Sequence, residues 1–485
     1  RGEARGPERS APTVGMLSSS NLSVPGFATW DWSRPAHDER SSRRCCIDEF
    51  GAWLGKWVPC VRPFGVLNGT MPCTLVFSET SSAPWPIRRT AAFVDAWLRS
   101  AAQVVMINNP LAGLLIMSAC CFPSAIVGAH GALGLTGAVT AAFALGLDRQ
   151  ARASGLFGYN GLLVGMALAT LLYRGGDGWD ASVGVACVVG GGLSAVVQLS
   201  LGNALVPTFH APPFTLAFNV TMLLFVLGTP HFDTFHRAPP SPPSDAAIAA
   251  AAATLAAAAA AAPAEGAELA LWLLKASLVS VGQVFLCQSA VSGALIVGGM
   301  AISSRIAATA AFAGASLGTL LAYSLGAPTE QVHAGLWGYN SCLTVTAALT
   351  FFVPSRTGCL MALLGTVLTV LIEAALRSAA APLGAPIGTL PFCFAALILL
   401  LTQDKVPHFE PVPLSDVATA EDHLYSARVQ RLQIAASSDE IAISLDGEGT
   451  AAKATGARDG SAVGDGDVVG CGRGATGGRG AVRGG

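Results

Sequence analysis

The stretch GLFGYNGLLVG, residues 155–165, returns as GLWGYNSCLTV, residues 335–345. Each copy holds too much glycine for an ordinary helix and too many apolar residues for an ordinary loop. From Gly155 to Gly335 the offset is 180, and it can be tested along the chain. Gln103-Val104 lands on Gln283-Val284, Gly113 on Gly293 and Ile116 on Ile296. Further on, PFTLAF (213–218) aligns with IGTLPF (387–392), pairing Thr215 with Thr389 at an offset of 174. Matches in the same order at a nearly constant offset read as two copies of one ancestral unit.

Both copies lie in apolar surroundings. The 485-residue chain is 52% hydrophobic and 12% charged, with a mean hydropathy of +0.54. Soluble domains carry about 25% charged residues, so the composition places the chain in a membrane. The net charge of −2 says nothing about a nucleic-acid partner, but no basic run is dense enough to serve one, so none is expected. Twelve cysteines include no C-x-x-C pair, so no metal site is expected, and no cofactor. Seven of them lie in apolar runs, while Cys45, Cys46, Cys60 and Cys73 are open to pairing. The chain opens on Arg1 rather than Met, which reads as an incomplete N-terminus. The absence of a signal peptide is therefore uninformative.

Five regions follow. Residues 1–90 form a polar extension, with glycosylation triplets beginning at Asn21 and Asn68. A third triplet begins at Asn219, beside an apolar run. Residues 91–238 hold the first membrane repeat, in apolar blocks at 104–128, 132–147, 156–173, 183–206 and 214–227. A membrane span needs about 20 helical residues. Residues 239–268 are a Pro- and Ala-rich linker, read as low complexity rather than a span. Residues 269–404 hold the second repeat, and 405–485 form a polar tail with a Gly-rich end expected to be disordered. An odd number of spans in the first half makes the second insert upside down. The predicted fold is all-α, in two inverted halves with the substrate site at the repeat interface.

Ionisable groups within the membrane mark ion or proton paths, and here they are few. Glu373 aligns with Leu193 or Leu199 and His333 with Ala153, so neither has an ionisable counterpart. Lys275 aligns with Asp95, of opposite sign; both are expected near the membrane surface. The polar residues that do repeat are neutral: Gln103 and Gln283, Asn160 and Asn340, Thr215 and Thr389. Amides and hydroxyls suit an uncharged solute rich in N–H and C=O. Asn160 and Asn340 read as structural, satisfying backbone carbonyls of the glycine-rich run. Each Gln opens an apolar run beside poor helix sequence, NNPLAG or QSAVSG, as a broken helix at membrane depth would. Tyr159 with Leu163, and Tyr339 with Leu343, share a helical face and are wall candidates.

FVDAWLRSAAQVVMINNPLAGLLI, ASGLFGYNGLLVG, PPFTLAFN, SVGQVFLCQSAVSGALI, GLWGYNSCLTV and GTLPFCFA resemble the urea transporter family. The likeness runs from about residue 93 to 401, apart from the linker, and VPLSDVATAEDHLY (412–425) resembles the segment after the last helix of animal members. The resemblance implies a passive urea channel in a homotrimer, multi-pass in the plasma membrane. Each subunit would have about ten spanning helices and two re-entrant half-helices around its own pore. It also implies Gln103 and Gln283 as oxygen-ladder residues. Slot walls would come from Tyr159, Leu163, Tyr339 and Leu343, with Met106, Val284 and Leu286 from the half-helices. Thr215 and Thr389 would be the central hydroxyls. QSAVSG replaces the family's usual Asp-Asn-Pro-like turn, Met106 stands where an aromatic is common, and Phe is frequent at position 339. These departures bear on slot width and on selectivity among urea, thiourea and small amides. Alternatives are a pore for ammonia, water or another small amide, an ion-coupled urea transporter, and a membrane enzyme. The enzyme would need a metal or nucleophile cluster that the apolar blocks lack.

Overall fold

A computed structural model describes residues 69–71, 74, 84–172, 179–231, 266–402 and 405–433. The early cysteines, the triplet at Asn21, Asn68 itself, the alanine tract and the Gly-rich tail lie outside the described residues. The chain divides into two compact units, Arg1–Ala427 and Arg428–Gly485. Of the second, residues 428–433 are described, and they are helical.

In the first unit the helices are α1 (Trp85–Gln103), α2 (Pro110–Cys121), α3 (Ala125–Ala144), α4 (Arg149–Ala153), α5 (Tyr159–Leu172), α6 (Ala181–Phe209) and α7 (Leu216–Gly228). They are followed by α8 (Ala267–Gln283), α9 (Ala290–Ser303), α10 (Arg305–Ser324), α11 (Thr329–His333), α12 (Tyr339–Phe351), α13 (Arg356–Ala380) and α14 (Leu390–Leu401). The second seven follow the first seven in order and closely in length. Among the described residues the only β pairing is an isolated bridge between Phe352 and Pro411. Helices α3, α6, α10 and the segment Arg356–Leu383 are long and apolar enough to cross a membrane. The protein is therefore an all-α membrane protein with several spans.

Local chemistry explains the helix limits. Asn109 caps α2, its side chain accepting from the backbone N–H of Leu111 and Ala112, with Pro110 at the first helical position. Ser289 does the same work for α9, accepting from Ser292 N–H, so QSAVSG starts a helix without Asn or Pro. On α6, Val183, Cys187, Gly191, Ser194 and Gln198 are buried, while Val185, Val189, Leu193 and Val196 are exposed. An apolar face left bare at that length is a lipid-facing one.

Most left-handed backbone positions within the two sets of helices occur in matched places. They are Met106 and Leu286 (φ +58° and +54°), Gly155 and Gly335 (+76° and +75°), and His210 and Gly384 (+51° and +57°). Phe214 and Gly388 (+49° and +52°) and Gly146 and Gly326 (+64° and +81°) are further pairs. The Gly-rich phrase is explained here. A Cβ on Gly335 would stand 2.6 Å from Ser280 N, and one on Gly155 2.4 Å from Ser100 N. The turn before α5 or α12 presses directly on the backbone of α1 or α8, and only glycine allows it. Gly335→Ala combines that clash with a strained φ. It should destabilise the protein by at least about 2 kcal/mol, seen as a lower Tm in detergent, whereas Ala334→Gly should change it far less.

The register of one residue differs from its sequence expectation. Glu373 occupies the place of Gln198, not of Leu193 or Leu199, since each bonds the Asn of its own GYN phrase. The connection before α6 is 173–180, but before α13 it is only 352–355. The offset therefore falls to 175 before that helix begins.

Candidate functional site

The helix α1 ends at Gln103 and α8 at Gln283, each followed by a turn and an extended stretch. Each glutamine is thus the last residue of its helix. Met106, Val284 and Leu286 are on those turns rather than within a helix; Val284 keeps helical φ and ψ, and the chain turns left-handed at Met106 and Leu286. Met106 and Leu286 are half-buried in left-handed conformations, the strained backbone often kept at functional sites.

Each Gln is aimed by the Gly-rich phrase. Gln103 Nε2 donates to Ser154 O at 2.9 Å, and Gln283 Nε2 to Ala334 O at 2.8 Å, the carbonyls just before Gly155 and Gly335. No described hydrogen bond uses either Oε1. Anchoring the amide nitrogen leaves the oxygen as the outward acceptor.

The wall candidates gather into one apolar cluster. Tyr159, Leu163, Tyr339, Leu343 and Val284 are buried in it, with Met106 and Leu286 packed at its edge. The tyrosine hydroxyls are also engaged: Tyr159 donates to Phe214 O and Tyr339 to Gly388 O, each the carbonyl just before a central threonine. Thr215 and Thr389 meet, with Oγ1 atoms 2.6 Å apart, although 174 positions separate them. Both are almost fully buried.

Asn160 and Asn340 do not serve the carbonyls of their own run. Asn160 Oδ1 accepts from Phe218 N–H, and Asn340 Oδ1 from Phe392 N–H, so they tie α5 to α7 and α12 to α14. Their Nδ2 groups donate to Gln198 Oε1 at 3.0 Å and Glu373 Oε2 at 3.1 Å. Glu373 is also paired with Arg377 at 2.7 Å. His333 stacks on Trp272, and both burial and the Lys275 ammonium lower its pKa.

Three features lay beyond sequence reasoning or against it. Arg99 is fully buried and pairs with Asp95 at 2.7 Å, so Asp95 is not a surface charge; Lys275 is exposed. The Arg99 guanidinium also donates to Thr70 O, Met71 O, Thr74 Oγ1 and Asn108 Oδ1, at 2.7 to 2.9 Å. Asp95 and Arg99, four apart in an apolar run, were the available signal. Asn219 is fully buried, so its triplet cannot carry a glycan. Finally, residues 411–423 return to the helical core. Glu421 takes hydrogen bonds from Ser304 Oγ (2.6 Å) and Ile306 N (2.9 Å) at the start of α10. His423, pushed down to about 4 by burial, accepts from Ala418 N–H through Nε2. A small opening beside Met106 is lined by Thr70, Asn108, Ser304, Thr350 and Thr419, so both flanking segments border it.

A family profile described as urea transporter matches residues 94–404. The chain is 30% identical to Urea transporter 1 of Ovis aries over 332 residues, 68% of this chain and 82% of the relative. The same identity and coverage hold for Urea transporter 1 of Capra hircus, and Urea transporter 1 of Rattus norvegicus is 30% identical over 333 residues. The match extends over both Gln–turn–helix units, both GYN phrases and both central threonines, and the chain belongs to the urea transporter family.

Proposed function

We propose that this protein carries urea passively across a membrane, through a pore formed within each subunit. The observation that carries the reading is the matched geometry of Gln103 and Gln283. One N–H of each amide nitrogen is taken by a backbone carbonyl, and no described hydrogen bond uses either Oε1, which is left to accept. Such an acceptor suits the N–H groups of urea and offers little to a bare ion beyond one dipole. Family membership supports the same substrate.

In this reading the two sets of seven helices are inverted copies, giving ten spans and two re-entrant helices. The domain division is 1–90, 91–238, 239–268, 269–404 and 405–485. Urea sheds water at the turns holding Met106 and Leu286, where Val284 backs the second turn. Its flat faces pass between Tyr159 and Leu163, then Tyr339 and Leu343. Gln103 and Gln283 take its N–H groups, and Thr215 and Thr389 are the midpoint. The assembly is a homotrimer in the plasma membrane.

Stopped-flow urea permeability of proteoliposomes, with and without an ion gradient, tests the reading. Urea flux that is independent of the gradient is expected. Flux that requires the gradient would point to ion coupling, and no urea flux would end the assignment. Thr215→Val removes one of two central hydroxyls and should lower urea flux only about two- to fivefold. A larger loss than that of Gln103→Leu would reverse the ranking of the two positions.

A further inference from the structure

The midpoint of the proposed path is symmetric in its threonines but not in what supports them. Asn219, one turn after Thr215, is fully buried. Its Nδ2 donates to Thr389 Oγ1 at 2.9 Å and to Thr215 O at 2.8 Å, and its Oδ1 accepts from Thr389 N–H at 3.0 Å. The matching position in the other half is Cys393, whose Sγ lies 3.3 Å from Thr215 Oγ1. One threonine is therefore held by an amide that donates, the other by a weakly bonding thiol.

We propose that Asn219 is a positioning residue that sets the direction of the central hydroxyl pair. The Asn219 amide occupies one lone pair of Thr389 Oγ1, which favours Thr389 as the donor to Thr215 Oγ1 and Thr215 as the donor to Cys393 Sγ. The chain runs one way: Asn219 amide, Thr389, Thr215, Cys393. A hydroxyl contact of 2.6 Å leaves no room for a solute between the two oxygens, so a crossing molecule must replace that bond. It then meets a donor on Thr389 and an acceptor on Thr215. This rests on the urea reading and deepens it: the midpoint favours a planar amide presenting a C=O to one side and an N–H to the other.

The backbone explains why only one half carries the amide. A Cβ at position 388 would stand 2.3 Å from Asn219 Oδ1, and that position is Gly388. The matching residue in the first half is Phe214, which has a Cβ, and there the supporting side chain is the smaller Cys393.

The test uses purified full-length protein in proteoliposomes, with urea and thiourea as paired probes, since the sulfur of thiourea is a poorer acceptor. Asn219→Asp keeps the acceptor for Thr389 N–H but removes the donor, so the Thr389 hydroxyl turns to the carboxylate. The urea-to-thiourea flux ratio is expected to fall about fivefold. In a Thr389→Val background the same change should move the ratio less than twofold, which a merely structural role for Asn219 would not produce. A ratio within twofold of wild type in Asn219→Asp, or an equal fall in both backgrounds, overturns the inference. Should Asn219→Asp not assemble, Asn219→Ser, which shortens the side chain away from Thr389 Oγ1, decides in the same two backgrounds: a fall of about fivefold confined to the Thr389 background supports it, and an unchanged ratio overturns it. Wild-type protein that carries no urea would instead remove the transport reading itself.

Discussion

Gln103→Leu is expected to lower urea flux in proteoliposomes by about tenfold or more, and Gln283→Leu by a similar factor. The substitution removes the free Oε1 acceptor and replaces it with a methyl group of similar reach. A passing urea would then leave an N–H without a partner, and an unmade hydrogen bond in a dehydrated path costs about 1–3 kcal/mol. Leucine also releases Ser154 O, which Gln103 Nε2 now satisfies at 2.9 Å. Protein yield and Tm should be measured beside flux for that reason. Gln103→Glu separates the two effects, since it keeps the acceptor and loses the bond to Ser154 O. It should retain more flux than Gln103→Leu. Equal flux in Gln103→Leu and wild type would remove this residue from the path.

Arg99→Leu is expected to destabilise the protein by about 3–5 kcal/mol, with a correspondingly lower Tm or loss of assembled protein. The guanidinium is completely buried and supplies bonds to Asp95, Thr70, Met71, Thr74 and Asn108. Its loss strands a buried carboxylate and several acceptors at once. Removing the carboxylate as well, in Asp95→Leu/Arg99→Leu, should recover part of the stability, because an unpaired buried charge is the larger penalty. A double variant less stable than Arg99→Leu would show that the ion pair is not the main contribution. Arg99 sits one turn before Gln103 and bonds the turn that follows it through Asn108, so the same side chain also steadies the segment that carries Met106.

Much of the site was legible in the chain before any coordinates. The offset of 180 pairs Gln103 with Gln283, and Thr215 and Thr389 meet at 2.6 Å although their pairing needed a second offset of 174. That second offset is also where register slipped. The shorter connection at 352–355 is a loop property, and loops tolerate length changes without leaving a periodic signal. A constant offset therefore misplaces Glu373, whose bond to Asn340 fixes its register. Turn residues such as Met106 and Leu286 are placed on half-helices by the family likeness; their left-handed φ has no sequence signature in non-glycine residues.

The sequence by itself determined the membrane class, the doubled unit, the neutral polar pairs and the family likeness. Those follow from composition and from identity at fixed spacing, which need no contacts. Tertiary structure alone decided that Asp95 and Arg99 form a buried pair, that Asn219 is a central residue rather than a glycan site, and which atom of each Gln is free. It also decided that the two halves support their threonines differently. These are properties of which side chains meet across helices, and a hydrogen bond between residues 170 positions apart, such as Asn219 to Thr389, is set by packing alone. The Gly-rich phrase belongs to both levels: its repetition is written in the chain, but its reason, backbone pressed against Ser100 and Ser280, exists only once the helices are packed.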